Sequence, residues 1–548
     1  MDTKASPARR ATLTSLTARA VDLLVIGGGI TGAGIARDAA MRGLKTILVE
    51  QGDLGSGTSS LSSRLIHGGL RYLEHGHLRL VLEASKERRV LLHLAPHLVH
   101  PLPFVFPVHR SDRVPLWKLI AGMWLYDLLA MFRNVRRHRP LSKRGVLEAE
   151  PMLRERGLIG GALYYDAQCD DARLTLATAR SAMAHGALIA TYMPVTALVL
   201  ADGTVRGVHV RDTLTGQEAV LHASIVVNAT GPWSDRIRRM EDPSAPALLC
   251  PTKGAHVMVP RSRVGNQHAV TITSPIDGRV MFVLPWGDLA YIGTTDTDSG
   301  ESPERAHATS DDVIYLLRSA NAYFPNARLT EADVVASWAG LRPMLAAPQG
   351  VAASERSREH QIHVGIGGML SIVGGKLTTY RIMARDVVNQ AVRRLHELDG
   401  TRYPVRAETD KEPLPGGEAQ DLQPFQQAPR DLGVPLDTVE HLLRHYGTET
   451  AAICNLIRDD RALLTRLHQD HPAIEAEVVH STRRELPQHI DDFLIRRIHL
   501  YYEVRDRGAP AAARVAALMG AELGWAPDRI AEEAKRYTDL VAESAPHG

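Results

Sequence analysis

Gly27, Gly29 and Gly32 follow a short apolar run, Leu23 to Ile26, in the spacing G-x-G-x-x-G, and Glu50 closes a second apolar run, Thr46 to Val49. Residues of these types at this spacing can hold the pyrophosphate and ribose of a dinucleotide. Gly27 permits the tight turn, Gly29 lets backbone approach the pyrophosphate, and Gly32 lets a helix pack closely on the strand before it. The helix that opens there presents free N–H groups and the positive end of its dipole to phosphate. Glu50, about 20 residues past the glycines, can accept hydrogen bonds from a ribose diol. Residues 21–50, VDLLVIGGGITGAGIARDAAMRGLKTILVE, thus read as strand, glycine turn, small-residue helix, strand and terminal acid. The fingerprint serves FAD and NAD alike and does not separate them.

Three later glycine motifs could add chemistry: VVNATGPWSD (226–235), IGTTDTD (292–298) and VGGKLTTYR (373–381). The last places two glycines before Lys376 and a predicted helix, a second helix N-terminus suited to the polar edge of a flavin ring. Any one of them alone reads as an ordinary strand-to-turn connection. Histidine suits acid–base work near neutral pH, but the chain has 25 of them, so residue type singles out none.

The elements that must position these groups exceed one ordinary core: 548 residues predict two or three domains. A content of 44% hydrophobic and 23% charged residues fits a globular enzyme, and a net charge of +2 gives no electrostatic case for nucleic acid. Cys169, Cys250 and Cys454 are far apart and form no CxxC pair. That argues against a disulfide framework or a cysteine zinc site and fits a reducing compartment; no metal is expected. Residues 1–20 lack the apolar core of a secretory signal and are expected to be a disordered tail, with an organelle presequence as the alternative. No run of about 20 uncharged apolar residues predicts a transmembrane helix.

Residues 78–95 carry apolar residues at helical spacing, and 115–139 form a second helix-like stretch with a basic end. Residues 195–210 read as a hairpin about Asp202-Gly203, and 224–227, 280–295 and 361–373 as further strands. These β-rich segments predict a second sheet covering the cofactor domain. Residues 401–425 are polar and rich in Pro and Gly, a predicted linker, and nearly everything beyond has helical period. No internal repeat is visible.

Taken with SSLSSRLIHGGLRYLE (59–74), the glycine motifs carry a resemblance. The chain closely resembles the FAD-dependent glycerol-3-phosphate dehydrogenases of the aerobic, respiratory type over about residues 20 to 540. The supporting motifs are VIGGGITGAGIARDAAMRG, SSRLIHGGLRYLEHG, DDARLTLATA, VVNATGPWSD, GAHVMVP, IGTTDTD, GLRPML and GGKLTTYR. IHGGLRYLE and GGKLTTYR are the most specific; glycine and D-amino-acid oxidases share the first βαβ unit but not these. The resemblance implies an α/β protein: a Rossmann-like FAD-binding domain, a mixed or antiparallel β-sheet substrate domain of the D-amino-acid-oxidase type, and a C-terminal α-helical domain. FAD-binding segments are expected at about 21–75, 170–235 and 360–395, substrate-domain segments at about 76–169 and 236–359, and the helical domain at 426–548.

The resemblance also implies the reaction: oxidation of sn-glycerol 3-phosphate to dihydroxyacetone phosphate, with electrons passed to a membrane quinone. Such a site needs arginine for the phosphate, because the planar guanidinium bonds two oxygens at once. Arg71 and Arg342 are the candidates, with Tyr72 and Thr378 beside the substrate. His256, in KGAHVMVP, is the candidate base, and His67 the next. Lys376 is expected near the flavin, where it can stabilise negative charge. The implied cofactor contacts are Gly27, Gly29, Gly32, Glu50, Ser59, Ser60, His67, Gly68, Gly69, Gly231, Gly375, Lys376 and Leu377. The family also implies a cytoplasmic protein held peripherally on the inner face of the cytoplasmic membrane, with a homodimer as one candidate assembly. Trp117, Trp124 and Phe132, ahead of the arginines of 133–139, are candidates to meet lipid; packing within the domain is the alternative. One departure is the loop around Gly55 and Gly57, where relatives often carry bulkier residues. An O2-using oxidase of the same fold, and a flavin-binding scaffold with a dead site, remain as competing readings.

Overall fold

The computed structural model describes residues 14–18, 20–69, 78–130, 135–298, 302–346 and 359–544. Two sheets dominate it. The first contains β1 (Val21–Ile26), β2 (Thr46–Val49), β7 (Leu188–Ala190), β8 (Val195–Ala201), β9 (Thr204–Arg211), β10 (Glu218–Asn228), β17 (His360–Val364) and β18 (Leu370–Gly374), in the order β17-β18-β10-β1-β2-β7 with the β8–β9 hairpin on β10. The pairs from β18 to β7 are parallel. Parallel strands covered on both faces need near-continuous apolar sequence, and Leu23, Leu24, Val25 and Leu48 are fully buried.

The second sheet contains β3 (Leu65–Ile66), β4 (Val99–His109), β5 (Arg139–Ser142), β6 (Leu158–Cys169), β11 (Thr252–Pro260), β12 (Ala269–Thr273), β13 (Val280–Trp286), β14 (Leu289–Gly293), β15 (Thr297–Asp298) and β16 (Ala336–Arg342). It is antiparallel except where β12 meets β4. Its core is built on Val257, Ile272, Val283 and Ile292.

Helix α1 (Ile30–Met41) owes its tight seat on the first sheet to small residues. A side chain at Gly34 would reach the Tyr380 ring at 2.9 Å. Beside α1 pack α4 (Asp171–Ala184) and α5 (Tyr380–Asp399), after α2 (Leu78–Leu94) and α3 (Leu116–Leu129) along the chain. The Asp170 carboxylate caps α4 by accepting from Arg173 N at 3.0 Å.

Two expectations need correction. Of the predicted tail, residues 1–13 and 19 lie outside the described residues; residues 14–17 form a helical turn, and Leu16 is buried in the cluster of Val21, Leu24 and Val226. One apolar side chain at the right place outweighs a polar composition. In the predicted linker, Leu414 is fully buried, and Arg37 on α1 donates to the carbonyls of Thr409 and Glu412. Residues 401–425 are therefore a strap packed on the cofactor domain, rather than a loose spacer.

Beyond the strap, α6 (Leu436–Tyr446), α7 (Glu475–Arg484), α8 (Ile490–Arg496), α9 (Leu500–Glu503), α10 (Ala512–Leu523) and α11 (Pro527–Glu543) form the helical domain, with one short hairpin, β19 (Arg466–His468) and β20 (His471–Ile474). It docks on the first two-thirds of the chain through buried charge. Asp53 receives Arg496 Nε at 2.5 Å and Arg497 Nη2 at 2.9 Å, Glu485 pairs with Arg173 at 2.7 Å, and His499 Nε2 lies 2.7 Å from Asp170. Removing one partner of such a pair would strand a buried charge, which costs far more than the pair contributes.

Candidate active site

The glycine turn is built as its spacing demands. Gly27 has φ +109°, and a Cβ there would meet Ala229 O at 2.7 Å. A Cβ on Gly32 would run into the Gly27 carbonyl oxygen. Gly29, the residue before α1, is extended, and a Cβ there would meet only Ser59 Oγ, at 3.1 Å. The Ser59 hydroxyl accepts from Ile30 N at 2.9 Å and so caps the helix that has no cap of its own. Glu50 ends β2 with one carboxylate oxygen on Gly28 N (2.6 Å) and the other on Gly52 N (2.9 Å). Each oxygen keeps a lone-pair direction for a ribose hydroxyl. Burial pushes this carboxyl above its ordinary range, against the backbone donors that pull it down.

From this turn a single cavity of about 1070 Å³ runs to the second sheet. That is the upper end of the volume small-molecule sites occupy, roughly 300–1,000 Å³, and enough for a dinucleotide with a small substrate. Gly27, Gly29, Ile30, Glu50 and Ser59 line one end; Thr230, Gly231, Gly375, Lys376 and Leu377 line the middle. Gly374 and Gly375 both have positive φ (+76° and +88°), so the chain turns sharply just before Lys376 and the start of α5. At the far end stand His256, Thr295, Asp296, Arg279 and Arg342.

Arg342 is the last residue of β16. Its guanidinium donates to Asp296 Oδ1 (3.0 Å), Thr294 Oγ1 (3.0 Å) and the Thr295 carbonyl (3.2 Å). Gly254 on the adjoining β11 makes the room: a Cβ there would sit 2.7 Å from Thr294 Oγ1. Asp296 also holds Arg279 at 3.1 Å, and Asp277 lies 3.5 Å from the same guanidinium, so two arginines and two carboxylates meet here with both guanidiniums at the cavity wall. Guanidiniums that line a cavity are suited to bind an anion.

His256 lies on β11 in register with Trp338 on β16 and Gly293 on β14. Its Nε2 is 2.9 Å from Ser63 Oγ, and its ring stacks on Trp338 with centroids 5.0 Å apart and planes within 12°. Burial, reinforced by the charges of Arg342 and Arg64, holds the imidazole down at about 3. The imidazole is therefore neutral at ordinary pH, and in these surroundings it is a weak base.

The sequence candidates thus converge on one cavity with few exceptions. Gly27, Gly29, Glu50, Ser59, His67, Gly69, Gly231, Gly375, Lys376, Leu377, Thr378, His256 and Arg342 line it. Gly32 sits behind it at the strand–helix contact. Ser60 is buried away from it, and Gly68 donates its N–H to Asp166 at 3.0 Å, where a side chain would strike Ser85 and Tyr126. Arg71, Tyr72 and Phe132 lie outside the described residues. Sequence reasoning missed Ser63, Arg64, Arg279, Asp296 and Trp338. Of these, Ser63, Arg64 and Asp296 stood inside quoted motifs, but only the fold shows which groups they face.

Comparison with known proteins agrees with this geometry. The family described as FAD dependent oxidoreductase matches residues 22–381, and the C-terminal domain of alpha-glycerophosphate oxidase matches residues 407–530. Glycerol-3-phosphate dehydrogenase 2 of Mycobacterium tuberculosis is 38% identical over 541 residues, covering 95% of this chain and 88% of that protein. The mitochondrial glycerol-3-phosphate dehydrogenase of Homo sapiens is 36% identical over 538 residues, covering 95% and 73%. The crystal structure of the Bacillus halodurans glycerol-3-phosphate dehydrogenase complexed with FAD superposes with a TM-score of 0.80 at 31% identity, over 98% of this chain and 96% of that one. The L-alpha-glycerophosphate oxidase of Mycoplasma pneumoniae, with FAD bound, shares the fold at 19% identity, over 68% of this chain and 95% of that one, with a TM-score of 0.54.

Proposed function

This chain belongs to the family of FAD-dependent oxidoreductases, and on that premise we propose that it oxidises sn-glycerol 3-phosphate at C2 to dihydroxyacetone phosphate and passes the electrons to a membrane quinone. The observation that carries the reading is the continuous cavity joining the glycine turn and Glu50 to the Arg342–His256 corner. The residues at its nucleotide end fit FAD: the Gly29–Ile30 backbone with Ser59 for the pyrophosphate, Glu50 for the ribose, and Gly231 with Gly375–Leu377 for the ring. When bound, FAD supplies the two-electron acceptor for the hydride that leaves C2.

The chain's own residues do the rest. Arg342, with Arg279 behind the shared Asp296, binds the phosphate dianion and fixes the substrate's position at the second sheet. Lys376 adds positive charge where negative charge develops. The proton of the C2 hydroxyl passes to His256 through Ser63, which lines the cavity: the Ser63 hydroxyl gives its own proton to His256 Nε2 and takes the substrate's. The alcohol loses that proton and a hydride, becomes a ketone, and keeps its phosphate. Held at about 3, the free imidazole is a weak base; the phosphate dianion at Arg342 offsets the positive charge that disfavours the imidazolium and so raises its basicity for this step.

The quinone and the membrane rest on a surface. No helix among the described residues is long and apolar enough to cross a membrane. On α3, Trp117 is 73% exposed and Leu128 57% exposed, while Leu119, Gly122 and Leu125 of the same helix line the cavity. An apolar helix that faces both solvent and the redox site suits a lipid-soluble acceptor at an interface. The test resolves substrate and acceptor separately. The FAD-loaded protein should bleach with glycerol 3-phosphate under nitrogen, and recolour faster with a short-chain quinone than with dissolved O2. Faster recolouring with O2 and stoichiometric peroxide would favour an oxidase.

A further inference from the structure

Arg64 is fully buried at 1% exposure, yet it takes a left-handed backbone conformation (φ 50°) that a non-glycine residue adopts only where its surroundings hold it. Its guanidinium carbon sits 4.4 Å from the centre of the Trp286 ring, 5.3 Å from Trp338 and 5.9 Å from Tyr502. Three aromatic faces around one cation make a cage whose attraction grows as water is excluded. Trp338 then stacks on His256, and Ser63, the residue before Arg64, bonds His256 Nε2. The cage is closed from the helical domain: Tyr502 meets Trp338 at 5.5 Å, and Glu503 receives Trp286 Nε1 at 2.8 Å.

We infer that Arg64 is a positioning residue for His256: caged by Trp286, Trp338 and Tyr502, it fixes the plane of the imidazole through Trp338 and Ser63. The inference rests on the proposed role of His256 as base. The groups that face this assembly come from several elements. Arg342 and Arg64 act on His256 directly. Asp171 and Asp170 at the start of α4, Tyr291 on β14 and Glu503 on α9 face Arg64, and together they outweigh the burial that works against its charge. Arg64 thus stays a cation, set at most about 10 Å from the imidazole across Trp338, given ring separations of 5.0 and 5.3 Å. At an effective dielectric constant of about 20, a like charge at that distance lowers a neighbouring ionisation by on the order of one pH unit.

The test is Arg64→Met beside Arg64→Lys, both in FAD-loaded protein. Anaerobic single-turnover reduction is followed from acid to neutral pH, and thermal unfolding over the same range gives a readout independent of turnover. Arg64→Met removes the charge, so the acidic limb of the reduction rate should move up by on the order of one pH unit. The acid loss of melting temperature attributable to His256, read as the difference from a His256→Gln background, should shrink with it. Substrate requirement should stay within about twofold, because Arg64 does not line the cavity. Arg64→Lys keeps the charge and loses the stacked plane, so its limb should stay in place while the plateau rate falls. If Arg64→Met does not fold, Arg64→Lys decides alone, since an unchanged rate there refutes the positioning role. An unmoved limb in Arg64→Met also overturns the inference. A His256→Ala protein with wild-type rate overturns instead the base assignment beneath it.

Discussion

Gly29 and Gly32 stand three residues apart in one turn, and the structure predicts opposite failures for them. A Cβ at Gly32 collides with the Gly27 carbonyl, which cannot retreat: Gly27 is held at φ +109° with its N–H on Val49 O at 2.8 Å. Overpacking typically costs about 1–3 kcal/mol, and a clash with fixed backbone belongs at or above the upper end. Gly32→Ala should therefore lose several degrees of melting temperature even without FAD. At Gly29 the backbone is extended at φ −73°, which any residue adopts, and the added carbon meets only the Ser59 hydroxyl. Gly29→Val should fold with close to wild-type stability when FAD is absent. On the proposed function, its side chain would stand in the path of the pyrophosphate. Saturating FAD should stabilise the wild type by RT ln(1 + [L]/Kd), about 4 kcal/mol at a thousandfold excess over Kd, and should stabilise Gly29→Val hardly at all. The assay is thermal unfolding with and without FAD, together with FAD released per chain on denaturation. A fully flavinated Gly29→Val protein would refute the assignment of this turn as the pyrophosphate seat.

Arg342→Ala and Arg71→Ala should each raise the glycerol 3-phosphate requirement by about one to two decades, since a charged hydrogen bond is worth roughly 1.5–3 kcal/mol, with FAD content unchanged; steady-state kinetics identical to wild type would remove that arginine from the phosphate site. His256→Ala should slow flavin reduction by about 10²–10⁴-fold with FAD retained, whereas loss of flavin would mark it as a core residue. His256 is held near 3, below its ordinary 6.5, so protonation favours the unfolded chain. It costs nothing above pH 6.5 and destabilises progressively as pH falls toward 3, by roughly 5 kcal/mol at the limit; the melting temperature of His256→Gln should fall less over that window. Part of the protein should pellet with membranes and be released by detergent, and replacing Trp117 and Leu128 by serine should move it to the supernatant without changing FAD content.

Much of this was legible in the sequence because it is local. The strand, glycine turn, helix and second strand of residues 21–50 form where the spacing puts them, and the Asp202-Gly203 hairpin forms with both residues at positive φ. The motif resemblance carried the fold class and brought most of the named residues to one cavity. What stayed hidden was assembled across distance. Asp296 bridges Arg279 and Arg342 from three separate segments, and the cage around Arg64 draws on residues 64, 286, 338 and 502. No periodicity marks such a group. Composition also misleads where one apolar residue decides, as Leu16 and Leu414 do in stretches otherwise polar.

On the proposed function, one cavity holds FAD at Glu50 and a phosphorylated C2 alcohol at Arg342 and His256. Anaerobic titration of the FAD-loaded protein with glycerol 3-phosphate tests it most directly. The flavin absorbance should be lost with dihydroxyacetone phosphate formed mole for mole, glycerol should give little response, and the titration should shift by about one to two decades in Arg342→Ala. Bleaching by glycerol as readily as by glycerol 3-phosphate, or an unchanged flavin spectrum with the phosphate ester, would contradict it.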